Sequence, residues 1–134
     1  MGAVVPVELK LLLAAVIVGL VQILWAATAG SGGERNLAWL LGPRDDPKPV
    51  GVVAGRLDRA LKNYLETFPL FAAATLAVVL ADKLGPLTMW GCALYVIGRA
   101  LFVPIYASGL AVVRTLVWTV SMVGIVMVVA AFFR

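Results

Sequence analysis

The chain predicts an all-α protein, an integral membrane four-helix up-down bundle, and three observations predict it. Of its 134 residues, 63% are apolar and 13% charged. The mean hydropathy is strongly positive, more apolar surface than a soluble domain of this length can hide. The charges are also gathered rather than spread, because Leu11–Gly33, Thr67–Ala81, Leu84–Gly98 and Thr115–Phe133 hold none. Finally, a helix rises ~1.5 Å per residue against a hydrocarbon core about 30 Å thick, so ~20 residues cross it. The first and last runs reach that length alone. The middle two reach it only if their helices take in Lys62 and Glu66, or Arg99.

The spans follow in order. After a short lead with Pro6, Glu8 and Lys10, the first helix is expected over about 7–29. Ala27-Thr28-Ala29 resembles a signal-peptide cleavage site, but the lead is barely basic, so the segment is read as retained. Its polar interior groups are Gln22 and Thr28, and Trp25 sits near its end as an interfacial anchor. Gly30–Gly55 is the one long connection. Gly30-Ser31-Gly32-Gly33 ends the helix, Asp45 to Pro49 form a polar turn, and Leu37, Trp39, Leu40 and Leu41 between them suit a short interfacial segment. A connection of this length is either functional or a loop skimming the headgroups.

The second span is expected over about 55–81, with Ala73, Ala77 and Ala81 as a small-residue stripe for close helix approach. Asp82-Lys83-Leu84-Gly85-Pro86 is a tight turn. The third span covers about 87–106 with an interruption at Pro104, and the fourth covers about 110–133 after an Ala107-Ser108-Gly109 turn. Eight basic residues (Arg35, Arg44, Lys48, Arg56, Arg59, Lys62, Arg99, Arg114) fall on the side of the long connection and three (Lys10, Lys83, Arg134) on the other. By the positive-inside rule the first side is cytoplasmic, in the inner (cell) membrane.

Composition excludes several chemistries. There is no histidine, which removes imidazole acid–base chemistry and the usual zinc and haem ligation. Cys92 is alone, so it forms no internal disulfide and reads as a packing residue. The net charge of +4 lies beside the bilayer rather than on a soluble basic face, so no nucleic-acid partner is expected.

The costly polar block is Arg56–Phe71. Arg59, Asn63 and Glu66 recur at i, i+4 and i+7 on one helical face. Arg99 and Tyr106 share a face of the third span, and Arg114, Trp118 and Ser121 a face of the fourth, all toward the same membrane side. Intramembrane ionisable groups face a bundle interior or wet cavity and are paired. Glu66 therefore calls for a cation, with Arg59, Lys62 and Arg99 as candidates and Lys62–Glu66 as the obvious in-helix bridge. Pro69 and Pro104 nearby remove the helical donors to the Leu65 and Ala100 carbonyls, which would kink and widen the bundle there unless they are simply tolerated. One reading is an ion-pair network that fixes helix register. The count favours another: one glutamate does not neutralise Arg59, Arg99 and Arg114, so an anion, either a lipid phosphate or a small carboxylate, is the expected guest.

Arg59-Ala60-Leu61-Lys62-Asn63-Tyr64-Leu65-Glu66, followed by Pro69, resembles the RAxxNxxExxP signature of the MAPEG family, membrane-associated proteins in eicosanoid and glutathione metabolism. Gly98-Arg99 with Tyr106, Gly109 and Arg114 is similar to that family's second motif. The resemblance covers most of the chain, as a single MAPEG-like membrane domain over 1–134 of the bacterial type. It implies a homotrimer surrounded by membrane lipids, with glutathione as co-substrate between subunits. It also implies that Arg59, Lys62, Asn63, Glu66, Arg99 and Tyr106 bind glutathione, that Arg114 stabilises its thiolate, and that a hydrophobic electrophile is attacked. The arginine that some members carry at the end of the first helix is absent, and Lys62 stands where some have arginine. Phe102 and Trp118 occupy positions that are polar in some eicosanoid-metabolising relatives, so specific prostaglandin or leukotriene synthesis is not expected. The expected function is thus a glutathione-dependent transferase or peroxidase. The non-enzymatic alternative is a MAPEG-fold protein binding an anionic lipid or a protein partner, and a proton-coupled exporter using Glu66 is a third reading.

Overall fold

The computed structural model describes residues 4–31 and 35–134. Its elements are α1 (Val7–Gly30), the short α2 (Leu37–Leu41), α3 (Val52–Leu80), α4 (Pro86–Ser108) and α5 (Ala111–Phe132). α1, α3, α4 and α5 are each long and apolar enough to cross a membrane. The expected spans therefore hold to within a few residues, and the expected interfacial segment is α2. Gly32 and Gly33 lie outside the described residues.

The second span differs from expectation by starting at Val52 rather than at Gly55. Its 29 residues exceed what the bilayer requires. At ~1.5 Å per residue it is about 43 Å long, and its charged residues, Arg56, Asp58, Arg59, Lys62 and Glu66, all lie in its first half. Pro104 does not interrupt α4, which continues to Ser108. A proline is tolerated inside a membrane-spanning helix. Gly109 then ends α4 in the left-handed region, at φ 84°. There the backbone turns straight into α5, and Arg56 Nη1 donates to the Ala107 carbonyl at 3.1 Å, tying the start of α3 to this turn.

α4 and α5 share the most extensive contact, and α3 packs on α1, α4 and α5. The closest approach is Gly91 against Gly124: a Cβ on Gly91 would lie 2.7 Å from the Gly124 carbonyl oxygen and 2.9 Å from Val128 Cγ2. Without side chains the two backbones touch, which gains dispersion contacts where lipid supplies no hydrophobic drive. The Ala73/Ala77/Ala81 stripe does not serve this purpose within the chain, since Ala73 and Ala81 face outward.

The core is aromatic and satisfies its own polar tips. Phe71 stacks on Tyr95 at 4.1 Å between centroids, and Tyr64 lies 6.3 Å from Tyr95. The Tyr64 hydroxyl donates to the Ala15 carbonyl of α1, and the Tyr95 and Thr67 hydroxyls are 3.0 Å apart. At the other membrane end Thr88 donates to the buried Glu8 carboxylate at 2.7 Å. This gives Glu8 a structural role at the start of α4.

Gln22 is one exception. It is 3% exposed, and both of its amide atoms lack a hydrogen-bond partner among the described residues. It borders an apolar cleft between α1 and α4 with Val18, Val103 and Ala100, whose carbonyl Pro104 cannot satisfy. Leaving such groups unpaired costs about 1–3 kcal/mol. Gln22→Leu, similar in volume, is therefore expected to raise the denaturation midpoint in detergent; a lowered midpoint would show the amide to be paired.

Candidate functional site

The polar block of α3 meets α4 and α5 on the side where α3 and α5 begin and α4 ends. Asn63, Phe102, Tyr106, Arg114, Thr115 and Trp118 line a cleft of about 280 Å³ there. Tyr106 is its hub. The Arg114 guanidinium carbon sits 4.5 Å from the Tyr106 ring centroid. Arg59 Nε donates to the Tyr106 hydroxyl at 3.3 Å. One phenol thus holds an arginine from α3 beside an arginine from α5.

Arg99 stands behind this cleft. It is 1% exposed, lies 4.3 Å from the Phe102 ring centroid and 5.4 Å from that of Tyr64, and its Nη1 donates to Asn63 Oδ1 at 2.8 Å. That bond occupies the Asn63 oxygen and leaves the amide NH₂ for a guest. Arg99 Nε and Nη2 have no partner among the described residues. A buried guanidinium without a carboxylate raises the positive potential of the cleft at short range.

The remaining expected site residues are placed differently. Glu66 faces outward on α3 and has no ion-pair partner among the described residues, so the expected pairing with Arg59, Lys62 or Arg99 does not form within one chain. Lys62 pairs instead with Asp58, one turn back, at 3.3 Å. An acid N-terminal to a base at i, i+4 is the favoured helical order, and Asp58 occupies that place. Ser121, on the face of Arg114 and Trp118, is fully buried and donates to the Trp118 carbonyl at 2.6 Å, packing beside Gly98 rather than lining the cleft. Thr115 was not among the expected site residues. Its only sequence signal is adjacency to Arg114, because threonines are common in apolar spans.

Among the described residues no group of His, Cys, Asp and Glu is arranged to hold a metal. The cleft instead offers the Arg114 fork, an amide and three aromatic rings, with Arg59 at Tyr106 and Arg99 behind, a set suited to a small carboxylate-bearing organic anion.

Fold and site together define a multi-pass, all-helical membrane protein with a cleft at one end of its bundle that is lined by Arg114 and flanked by Arg59 and Arg99. The model of the MAPEG family matches residues 9–133, and the chain belongs to that family. Comparison with curated proteins returns no match, and no solved structure matches.

Proposed function

We propose that the protein is a glutathione-dependent transferase or peroxidase acting on hydrophobic electrophiles dissolved in the bilayer. The observation that carries this reading is the convergence of Arg59, Arg99 and Arg114 on Asn63 and Tyr106, with no carboxylate among the described residues paired to any of the three. MAPEG membership supports glutathione, with two carboxylates and one ammonium, as the co-substrate. Its carboxylates suit the arginines and the freed Asn63 amide. Its thiol would sit beside Arg114, where a cation favours the thiolate and so increases the reactive fraction at neutral pH. The thiolate sulfur attacks an electrophilic carbon and displaces its leaving group. With a hydroperoxide, two glutathiones are oxidised to the disulfide as the O–O bond breaks.

Arg59, Lys62 and Glu66 all face outward from α3 at or below headgroup depth. Charged groups are not left facing lipid, so another copy of the chain is the proposed cover, in a homotrimer. Glu66 would then meet the glutathione ammonium at the junction between copies. The proposed location is the inner (cell) membrane, with the cleft on the cytoplasmic side by the count of basic residues.

The test is titration of the purified protein with glutathione at neutral pH. The expected result is saturable binding at millimolar concentration or below, an ultraviolet thiolate absorbance, and conjugation of a generic aryl halide. Binding of co-purified anionic lipid at the arginines, without any thiolate signal, would assign the cleft to a non-catalytic role.

A further inference from the structure

The largest cleft described lies away from the Tyr106 site. It holds about 490 Å³ between the end of α1, α2 and α3. Its apolar wall includes Ile23 and Ala27, and its rim carries Arg35, Trp39, Arg44 and Asp58. Both guanidiniums sit against Trp39, at 5.0 Å and 5.7 Å from its ring centroid. The indole itself is fixed, because its N–H donates to the Asp46 carbonyl at 2.6 Å. Each arginine is also anchored at its inner edge. Arg35 Nε donates to the Lys48 carbonyl at 3.1 Å, and Arg44 Nε and Nη2 donate to the Leu40 carbonyl at 3.0 Å and 2.9 Å. The other guanidinium N–H groups remain available, and among the described residues neither arginine has an ion-pairing carboxylate. Asp58 at the rim is already paired with Lys62.

We propose that this cleft binds the phosphate head of a glycerophospholipid from the adjacent leaflet. The position fits, since α1 ends and α3 begins here, and the ends of spanning helices meet the headgroups. The chemistry fits as well. Two pre-held guanidiniums match a phosphodiester, the apolar wall accepts the upper part of an acyl chain, and α2 with its outward-facing Leu37 and Leu41 lies as an interfacial helix does. A free inorganic anion would leave the apolar wall uncovered, and an uncharged lipid would leave the arginines unpaired. The site shares no lining residue with the Tyr106 cleft and does not depend on the glutathione reading.

The full chain in a nonionic detergent is titrated with phosphatidylglycerol, with diacylglycerol of the same chains, and with inorganic phosphate, reading tryptophan fluorescence. Phosphatidylglycerol is expected to bind about 30-fold more tightly than diacylglycerol, from two basic groups at the membrane surface. That preference should vanish in the Arg35→Gln/Arg44→Gln variant, with helicity unchanged. Arg44→Glu, whose side chain lies outside the bundle, reads the same charge dependence if the double variant does not fold. Equal binding of the two lipids, or a preference that survives these substitutions, overturns the proposal. So does inorganic phosphate that competes at the lipid's own concentration, because the site would then be one for free anions.

Discussion

Arg114→Ala is expected to remove most of the thiolate absorbance of bound glutathione while leaving the proposed oligomer and its helicity intact. Arg114 lines the cleft, is held only by its contact with the Tyr106 ring, and makes no side-chain hydrogen bond or ion pair among the described residues. Its N–H groups are therefore free for a guest. At an effective dielectric near 20, a unit charge about 4 Å from the sulfur contributes about 4 kcal/mol, and water entering the open cleft reduces this. A loss of about 1–3 pKa units of thiol acidification is expected, at 1.36 kcal/mol per unit. The sign follows from the charge: removing a cation raises the thiol pKa, so the thiolate fraction at neutral pH falls. Arg114→Lys keeps the charge without the planar fork and should restore most of the signal. Pre-steady-state conjugation should slow in step with the absorbance, whereas glutathione affinity should fall less, since Arg59 and Asn63 remain. An unchanged absorbance in Arg114→Ala would move the role to Arg59, the other arginine at Tyr106.

Gly124→Ala has the largest expected effect on stability. A Cβ at Gly124 would lie 2.9 Å from the Tyr95 backbone nitrogen and 3.2 Å from Leu94 Cβ, and it would also collide with the Gly91 carbonyl oxygen. The obstructing atoms are mostly backbone, which no rotamer change can clear, so α4 and α5 must separate along their length. Alanine gains about 1 kcal/mol of helix propensity over glycine. Overpacking costs about 1–3 kcal/mol where side chains can yield, and more where they cannot. The clash is therefore expected to win, giving a net loss of at least about 2 kcal/mol and a sharply reduced yield of folded protein. The denaturation midpoint in detergent checks this. A variant as stable as the parent would mean that the two helices can part freely. Because Arg114 and Tyr106 sit on these same two helices, a partial separation should also weaken glutathione binding.

The four spans, the long connection with a short helical segment in it, and the gathering of the polar block at one end of the bundle are all legible in the sequence. Apolar run length against bilayer thickness is a one-dimensional property, and so is the position of a charge along a run. The order of Arg59, Asn63, Arg99, Tyr106 and Arg114 along three spans was enough to bring them to one end of the bundle.

Only the tertiary structure decided which way each side chain of that block points. On an ideal helix Asn63 and Glu66 lie about 60° apart and Lys62 and Asn63 about 100° apart, close enough to be called one face or its flank. The edge of the cleft passes between them, so Asn63 turns inward to Arg99 while Glu66 and Lys62 turn outward. Likewise, glycines and alanines recur throughout the apolar runs, and nothing in their spacing singles out the Gly91–Gly124 crossing over the Ala73 stripe. Both choices depend on how one helix is rotated against its neighbours. That rotation is set by the summed packing of distant residues such as Tyr64, Phe71 and Tyr95, and no local stretch of the chain contains it.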